Sequence, residues 1–372
     1  MSETADVIVI GAGMAGIGAA ARLAGGAKVV VLERESQPGY HSTGRSAAMF
    51  IENYGGPVIR KLTRASRTSL ENPDPDFWHS AVLGPRGVMY LAMPGQEPTL
   101  QELVDGSDGV DEITIDDACG RIPLLNRDAI TRAAYEEDAQ DMDVNELLMG
   151  FRRLFRSHGG EIKCDADVER LSRADGIWTV ETRSGSYAAP VVVNAAGAWV
   201  DDVAAKAGLE PLGFKPCRRS VAIVPTPDDL DIAAWPTTAE MDEQFYFKPE
   251  AGKLLISPAD ETEVEPHDAY ADDMAIAEGI HMFSQVMQIE VNRIEHTWGG
   301  LRTFSPDRSH VIGFDPRTEG FFWCGGQGGY GIQSAHGASA VAAGLVLDNE
   351  MPAALAELGL AREDVAPDRF LA

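Results

Sequence analysis

Apolar positions along the chain follow two rhythms, and the first thirty-odd residues contain both. Val7–Ile10 is an unbroken β-branched run, as expected of a strand covered on both faces. The segment "GAGMAGIGAAARLAGG" then turns to small and apolar residues at helical spacing, and Lys28–Leu32 is a second β-rich run. The predicted order is strand, helix, strand. A helix is predicted over Pro57–Leu70, with its proline at the first turn. Prolines, glycines and the short run "GVMYLAM" across 72–98 predict entry into a β-containing second domain. In "MDVNELLMGFRRLFRSHGG", Asp143 reads as an N-cap, Glu146 as its capping-box partner and Gly159 as the stop signal.

Val191–Val193 predicts a buried parallel strand that runs into a small-residue turn and another helix. From Lys215 to about Glu295 the pattern is β-rich again, with a hairpin in "FYFKPEAGKLLISP" turning at Glu250 to Lys253. The last third, "VIGFDPRTEGFFWCGGQGGYGIQSAHGASAVAAGLVL", reads as strand, turn, strand, glycine loop and small-residue helix. No internal repeat is visible. The predicted class is α/β: a Rossmann-like domain assembled from 1–80, 140–213 and 297–372, and a β-rich second domain from 81–139 and 214–296.

The turn after the first strand carries chemistry. Gly11, Gly13 and Gly16 have the G-x-G-x-x-G spacing: the first for a tight turn, the second for close approach of a pyrophosphate, the third for helix–strand packing. Met14 and Ala15 open the helix, whose N-terminal N–H groups suit phosphate. Glu33 ends the second strand, 22 positions after Gly11, where a carboxylate accepts from a ribose 2′-OH and disfavours a 2′-phosphate. This motif alone leaves NAD and FAD open. The second glycine loop, "GGQGGYGIQ", favours a flavin, whose reduced ring gathers negative charge that a helix N-terminus stabilises.

Composition narrows the field. Acidic side chains outnumber basic ones 58 to 31, for a net charge of −27, which argues against a nucleic-acid partner. No run of 18 apolar residues and no signal-peptide pattern occur, so a cytoplasmic protein is expected, one that meets a membrane only through a partner. Cys119, Cys164, Cys217 and Cys324 are far apart and read as reduced thiols, and the histidines show no metal-ligand spacing. Against the acidic background, arginines in "CRRS" and "GLRTF" stand out.

The chain resembles the D-amino acid oxidase superfamily of FAD-dependent oxidoreductases, and within it the bacterial D-arginine dehydrogenases. The likeness is carried, in order, by "VIGAGMAG", "VVVLERESQPGYHSTGRSAA", "VNAAGAW", "CRRS", "DEQFYFKP", "EHTWGGLRTF" and "EGFFWCGGQGGYGIQ". It implies non-covalent FAD, since no cysteine matches the covalent attachment point of the related sarcosine oxidases, with Cys324 the nearest candidate. It also implies that Arg34 and the loop His41, Ser42, Thr43, Gly44, Arg45 and Ser46 lie along the cofactor. Ala196, Gly197 and Trp199 would pack beside it, and Gly328, Gly329, Tyr330, Gly331 and Ile332 would cover its pyrimidine end. His41, the tempting base, reads better as part of that cofactor loop.

By the same resemblance Arg302, assisted by Arg219, holds a substrate carboxylate, and Tyr54 and Tyr246 line the pocket. A planar guanidinium suits that task independently, because it pairs bidentately with a carboxylate and stays charged. The implied reaction is oxidative deamination of a D-amino acid to a 2-oxo acid and ammonia, with hydride passing from Cα to flavin N5. A quinone or the respiratory chain is the expected electron acceptor rather than oxygen. The family's glutamate for a guanidinium substrate reads Val88 here, and two further polar pocket positions read Met49 and Ile51; Gly329 closes the pocket. Neutral, hydrophobic side chains are therefore expected over basic ones, unless Glu52 or Glu243 reaches the cation instead. Oxidation of N-alkyl amino acids or opines, oxidation of 2-hydroxy acids, and a non-catalytic flavin-binding subunit are the alternatives.

Overall fold

The computed structural model describes residues 2–227 and 230–371. Val7–Ile10 and Val29–Leu32 pair in parallel inside a six-stranded sheet. Its order is Glu161–Lys163, Val29–Leu32, Val7–Ile10, Val191–Asn194, Phe321–Gly325 and Val311–Phe314. Only the last pair is antiparallel. Alternation along each strand divides the core in two. Val7, Val9, Val29 and Val31 pack with Phe151, Phe155 and Val341 from the helices Val144–Ser157 and Ala335–Ala343. Ile8, Ile10, Val30 and Leu32 face Val180, Tyr187 and Val203 on the other side, where a four-stranded sheet and the helix Val200–Lys206 lie. Coverage of both faces explains the unbroken apolar runs.

Gly11 has φ +102°, and a Cβ there would strike the Ala195 carbonyl, so this turn admits no side chain. The predicted helix at 57 runs Pro57–Glu71, and the predicted strand at 28 begins at Val29, because Lys28 is bonded to the Asp6 side chain and to Thr4. Asp143 caps Val144–Ser157 by accepting from Glu146 N at 2.8 Å. The capping box does not form: Asp143 N donates to Val82 O, and the Glu146 carboxylate accepts from His79 N and Arg153 instead. Tertiary partners displace the local one.

The second layer is a nine-stranded sheet, ordered Thr262–Glu263, Lys215–Val224, Lys253–Ser257, Tyr246–Glu250, Thr237–Glu240, Val88–Ala92, Arg132–Glu136 and Val110–Ile113, with His296–Phe304 paired to Lys215–Val224. The expected division at 297 thus falls inside a strand of this sheet, because nine consecutive residues register against Lys215–Ile223. Residues 83–85, expected in the second domain, pair instead with 140–142, which also pair with Met49–Phe50 in a small three-stranded sheet. The predicted hairpin turn is present, with Ala251 and Gly252 both at positive φ. Met89, Leu91, Phe247 and Ile256 point into a core with Phe283 of the helix Asp273–Val286. Val88, Tyr90, Tyr246 and Lys248, one step out of phase, face a cavity between the two large sheets.

Candidate functional site

The cavity measures about 640 Å³ and is long and composite. One end is built by the first turn. Gly11, Gly13, Met14 and Ala15 line it, and so do Glu33 and Arg34 at the end of the neighbouring strand. Glu33 is buried, and its carboxylate accepts from Ala12 N at 2.8 Å and Glu35 N at 2.9 Å. Burial raises its pKa, and the two backbone N–H groups oppose that rise. Met14 N donates to Thr43 Oγ1 at 3.0 Å, tying the 41–46 loop to the helix start. Gly16 does not line the cavity, because its bare Cα is turned to the Gly11 carbonyl; Gly44 likewise backs onto the Gly39 carbonyl.

His41, Ser42, Thr43, Arg45 and Ser46 line the same wall. His41 Nε2 meets Glu35 Oε1 at 2.9 Å and its ring lies 4.7 Å from that of Trp199, over which Arg34 also stacks at 4.5 Å. Ser42 donates to Leu301 O. The Arg45 guanidinium binds Ala269 O, Gly299 O and the Asp268 carboxylate, so it fastens the loop to the large sheet. Ala196, Gly197 and Trp199 complete this wall.

At the other end Gly328, Gly329, Tyr330, Gly331 and Ile332 line the cavity. They do not sit directly on a helix N-terminus. Residues 328–334 form consecutive turns, and the helix starts at Ala335, with Ser334 at its cap. Ser334 Oγ donates to Tyr330 O at 2.7 Å and therefore accepts from His310 Nε2 at 2.9 Å, which props the loop from below. Gly329 lies over Arg302: a Cβ there would be 2.8 Å from Nη1 and 3.0 Å from Cζ.

Two guanidiniums face this end. Arg302, in the strand His296–Phe304, is in register with Cys217, so Arg219 lies two residues along the adjacent strand opposite Gly300. Burial opposes the Arg302 charge, yet the phenol oxygens of Tyr54 and Tyr246 hold its pKa above the ordinary arginine value; Tyr54 OH is 3.5 Å from Nη1. Arg219 is buried, and burial together with the like charge of Arg302 works against its cation. Among the described residues its one carboxylate partner is Glu261 at 3.3 Å, and its Nε donates to nothing. Two close cations and an unused buried donor are what an anionic ligand would complete. Arg218, next in sequence, is bonded to Asp260 and Asp272 and takes no part.

Met49, Ile51 and Val88 line the cavity beside Tyr246. Glu243 also lines it, whereas Glu52 does not and is bonded to Arg67 and Arg64. Sequence reasoning missed Asn53, Tyr90, Thr237 and Lys248, all in the wall. Period-two alternation from Val88 and Tyr246 marks Tyr90 and Lys248 as their same-face neighbours, but the pairing of their strands has no local signal.

An acid at one end, bare backbone in the middle and cations at the far end fit an elongated dinucleotide with an anionic substrate beside it. The sequence matches the FAD dependent oxidoreductase family over residues 6–345, and the chain belongs to that family. FAD is the cofactor that goes with this membership. Human mitochondrial dimethylglycine dehydrogenase is 25% identical over 395 residues, covering 96% of this chain and 44% of that protein. The chain thus spans less than half of that relative's length. Among solved structures, glycine oxidase from Geobacillus kaustophilus superposes with TM-score 0.82 at 22% identity, covering 97% of this chain and 99% of that one. L-proline dehydrogenase from P. horikoshii superposes with TM-score 0.81 at 19% identity, covering 100% and 98%. No helix among the described residues is long and apolar enough to cross a membrane.

Proposed function

We propose that this chain is the catalytic unit of an FAD-dependent dehydrogenase that oxidatively deaminates D-amino acids with neutral, hydrophobic side chains. The observation that carries the reading is the pair Arg302 and Arg219, buried together at the end of the cavity, where among the described residues only Arg219 has a carboxylate partner, Glu261. Arg302 would clamp the substrate carboxylate, Arg219 would add a second donor, and Gly329 leaves the space above the clamp that any side chain would fill. Tyr54 and Tyr246 would flank the bound amino acid, with Met49, Ile51 and Val88 against its side chain. Clamping fixes which hydrogen of Cα is presented, so most of the protein's contribution is orientation. FAD supplies the hydride acceptor when bound. No strong base is needed once the amine binds neutral, and His41, held by Glu35 beside Trp199, stays a cofactor-loop residue.

For the cofactor, Gly11, Gly13, Met14 and Ala15 would face the pyrophosphate, Glu33 the ribose, and residues 41–46, 196–199 and 328–332 the remainder, with Gly16 and Gly44 holding the turns behind. Non-covalent attachment is proposed because Cys324, although in the wall, is a buried thiol pushed up to about 12 and so stays protonated. The purified protein is expected to be yellow and to release intact FAD on denaturation. Flavin that stays with the precipitated chain would show a covalent link and overturn that point. A quinone or another respiratory carrier is the proposed acceptor.

A second reading, oxidation of N-alkyl amino acids, is favoured by the 25% identity to dimethylglycine dehydrogenase. It needs the same carboxylate clamp with more room at the amine. Anaerobic flavin reduction by a substrate panel separates the two. Reduction by D-leucine, D-methionine and D-phenylalanine, with D-arginine and D-lysine slower, is expected. Faster reduction by sarcosine or dimethylglycine selects the second reading, faster reduction by D-arginine sinks the apolar-pocket assignment, and reduction by none of them leaves a flavin-binding subunit.

A further inference from the structure

The side-chain end of the cavity is not apolar throughout. Val88 has Thr237 in register on one side and Glu136 on the other, so a carboxylate stands directly beside the position that reads as apolar in the sequence. Glu136 is 3% exposed and forms no ion pair among the described residues. Its Oε2 accepts from Tyr90 OH at 3.0 Å and its Oε1 from Asn53 Nδ2 at 2.9 Å. Asn53 Nδ2 also donates to Asp108 O at 2.9 Å.

Counting donors fixes what is left for a ligand. The one Tyr90 hydroxyl hydrogen is committed to Glu136, and both Asn53 amide hydrogens are committed to Glu136 and Asp108. Tyr90 and Asn53 line the cavity; Tyr90 keeps its phenol oxygen as an acceptor, and Asn53 keeps an Oδ1 that is itself buried in the wall. Asn53 is 6% exposed, and its Oδ1 accepts nothing among the described residues. A buried acceptor without a donor is a costly arrangement that a ligand hydrogen would relieve. Charges of both signs act on Tyr90 at this end, that of Glu136 ahead of that of Arg60, whose Nε and Nη1 donate to Gly55 O and Gly106 O.

We propose that Tyr90 and Asn53, oriented by Glu136, form an acceptor-only subsite beyond Val88 that selects substrates with an uncharged hydrogen-bond donor at the end of an apolar side chain, such as a phenol or an indole. The subsite rests on the carboxylate clamp of the proposed function, and makes D-tyrosine and D-tryptophan better substrates than D-phenylalanine. Glu136 is a positioning residue: it faces Tyr90 and Asn53, not the ligand.

The test uses the FAD-loaded protein and binding, so that it does not depend on which amine is oxidised. Flavin absorbance is titrated with 3-phenylpropanoate and with 3-(4-hydroxyphenyl)propanoate, which differ by one hydroxyl. The phenol is expected to bind at least about tenfold more tightly, as one buried hydrogen bond to an otherwise unpaired acceptor implies. Tyr90→Phe should bring the ratio to within about threefold. Glu136→Gln should do the same, because the amide that replaces the carboxylate can donate to the Tyr90 oxygen and release the phenol hydrogen toward the ligand. Equal affinities in the unmodified protein, tighter binding of the 4-aminomethyl analogue, or no response to either ligand would overturn the subsite. Should a variant fail to hold FAD, the unmodified protein's ratio decides alone. A tenfold ratio without flavin reduction by any D-amino acid rejects the D-amino acid reading and keeps the subsite.

Discussion

Replacing Arg302 by methionine is expected to lower kcat/KM by about 10²-fold or more while FAD content stays near that of the unmodified protein. Methionine fills much of the same volume without charge, so the loss reports the clamp and not a cavity. Arg302 is suited to that role by its surroundings. Register with Cys217 fixes its strand, Gly329 leaves its upper side bare, and Tyr54 approaches Nη1 at 3.5 Å. Part of the effect should fall on KM, through lost attraction for the carboxylate, and part on kcat, through a substrate that no longer presents Cα correctly. Steady-state kinetics with a saturating artificial acceptor checks this. A loss below about tenfold would transfer the anchor to Arg219, whose cation is freed from the repulsion of its neighbour in that variant.

Stability is expected to fall steeply as the pH drops from about 6.5 toward 4, with two histidines responsible. His310 and His336 are buried, and burial pushes the pKa of each down to about 3, with the charges of Arg369 and Arg22 adding to the effect. His336 Nδ1 meets Arg22 Nη2 at 3.2 Å, an arrangement that needs the neutral ring. Because the folded pKa lies below the unfolded one, their contribution is complete above the unfolded pKa of about 6.5. It is lost as pH falls toward the folded value, at roughly 1.4 kcal/mol per pH unit for each ring, or about 5 kcal/mol for the pair between pH 6 and 4. Glu33 and Glu136, whose pKa values burial raises, work in the opposite direction, so the total slope is shallower than this. Urea unfolding at constant excess FAD, in the unmodified protein and in a His310→Gln/His336→Gln variant, isolates the two rings. The variant should take up about two fewer protons on unfolding, and identical pH slopes would rule the histidines out.

Much of the cofactor half is legible in the linear sequence because its signals are local. The Gly11 turn needs a positive φ, and Glu33 follows one strand–helix–strand unit later at a spacing set by the length of that unit. The buried runs Val7–Ile10 and Val191–Val193 announce strands covered on both faces, and the hairpin at 250–253 announces itself by its turn residues. The same local reasoning misplaced the capping partner of Asp143, since Glu146 found His79 and Arg153, which are distant in sequence or one helix face away. It also set the second glycine loop directly on a helix that begins only at Ala335.

By itself, then, the sequence determined the α/β class, the dinucleotide turn, the acid that accompanies it and the two arginines that stand out from an acidic chain. Only the tertiary structure decided which side chains meet at the far end of the cavity. That end is a face of the nine-stranded sheet, where contacts are made across strands whose order in space differs from their order in the chain. Val88 reads as an apolar pocket residue until pairing sets Glu136 beside it, and Arg219 and Arg302 become one site only because strands 215–224 and 296–304 lie side by side. Periodicity states which face of a strand a residue takes, but pairing and register are settled by the whole sheet, so the chemistry between strands is not written in any one of them.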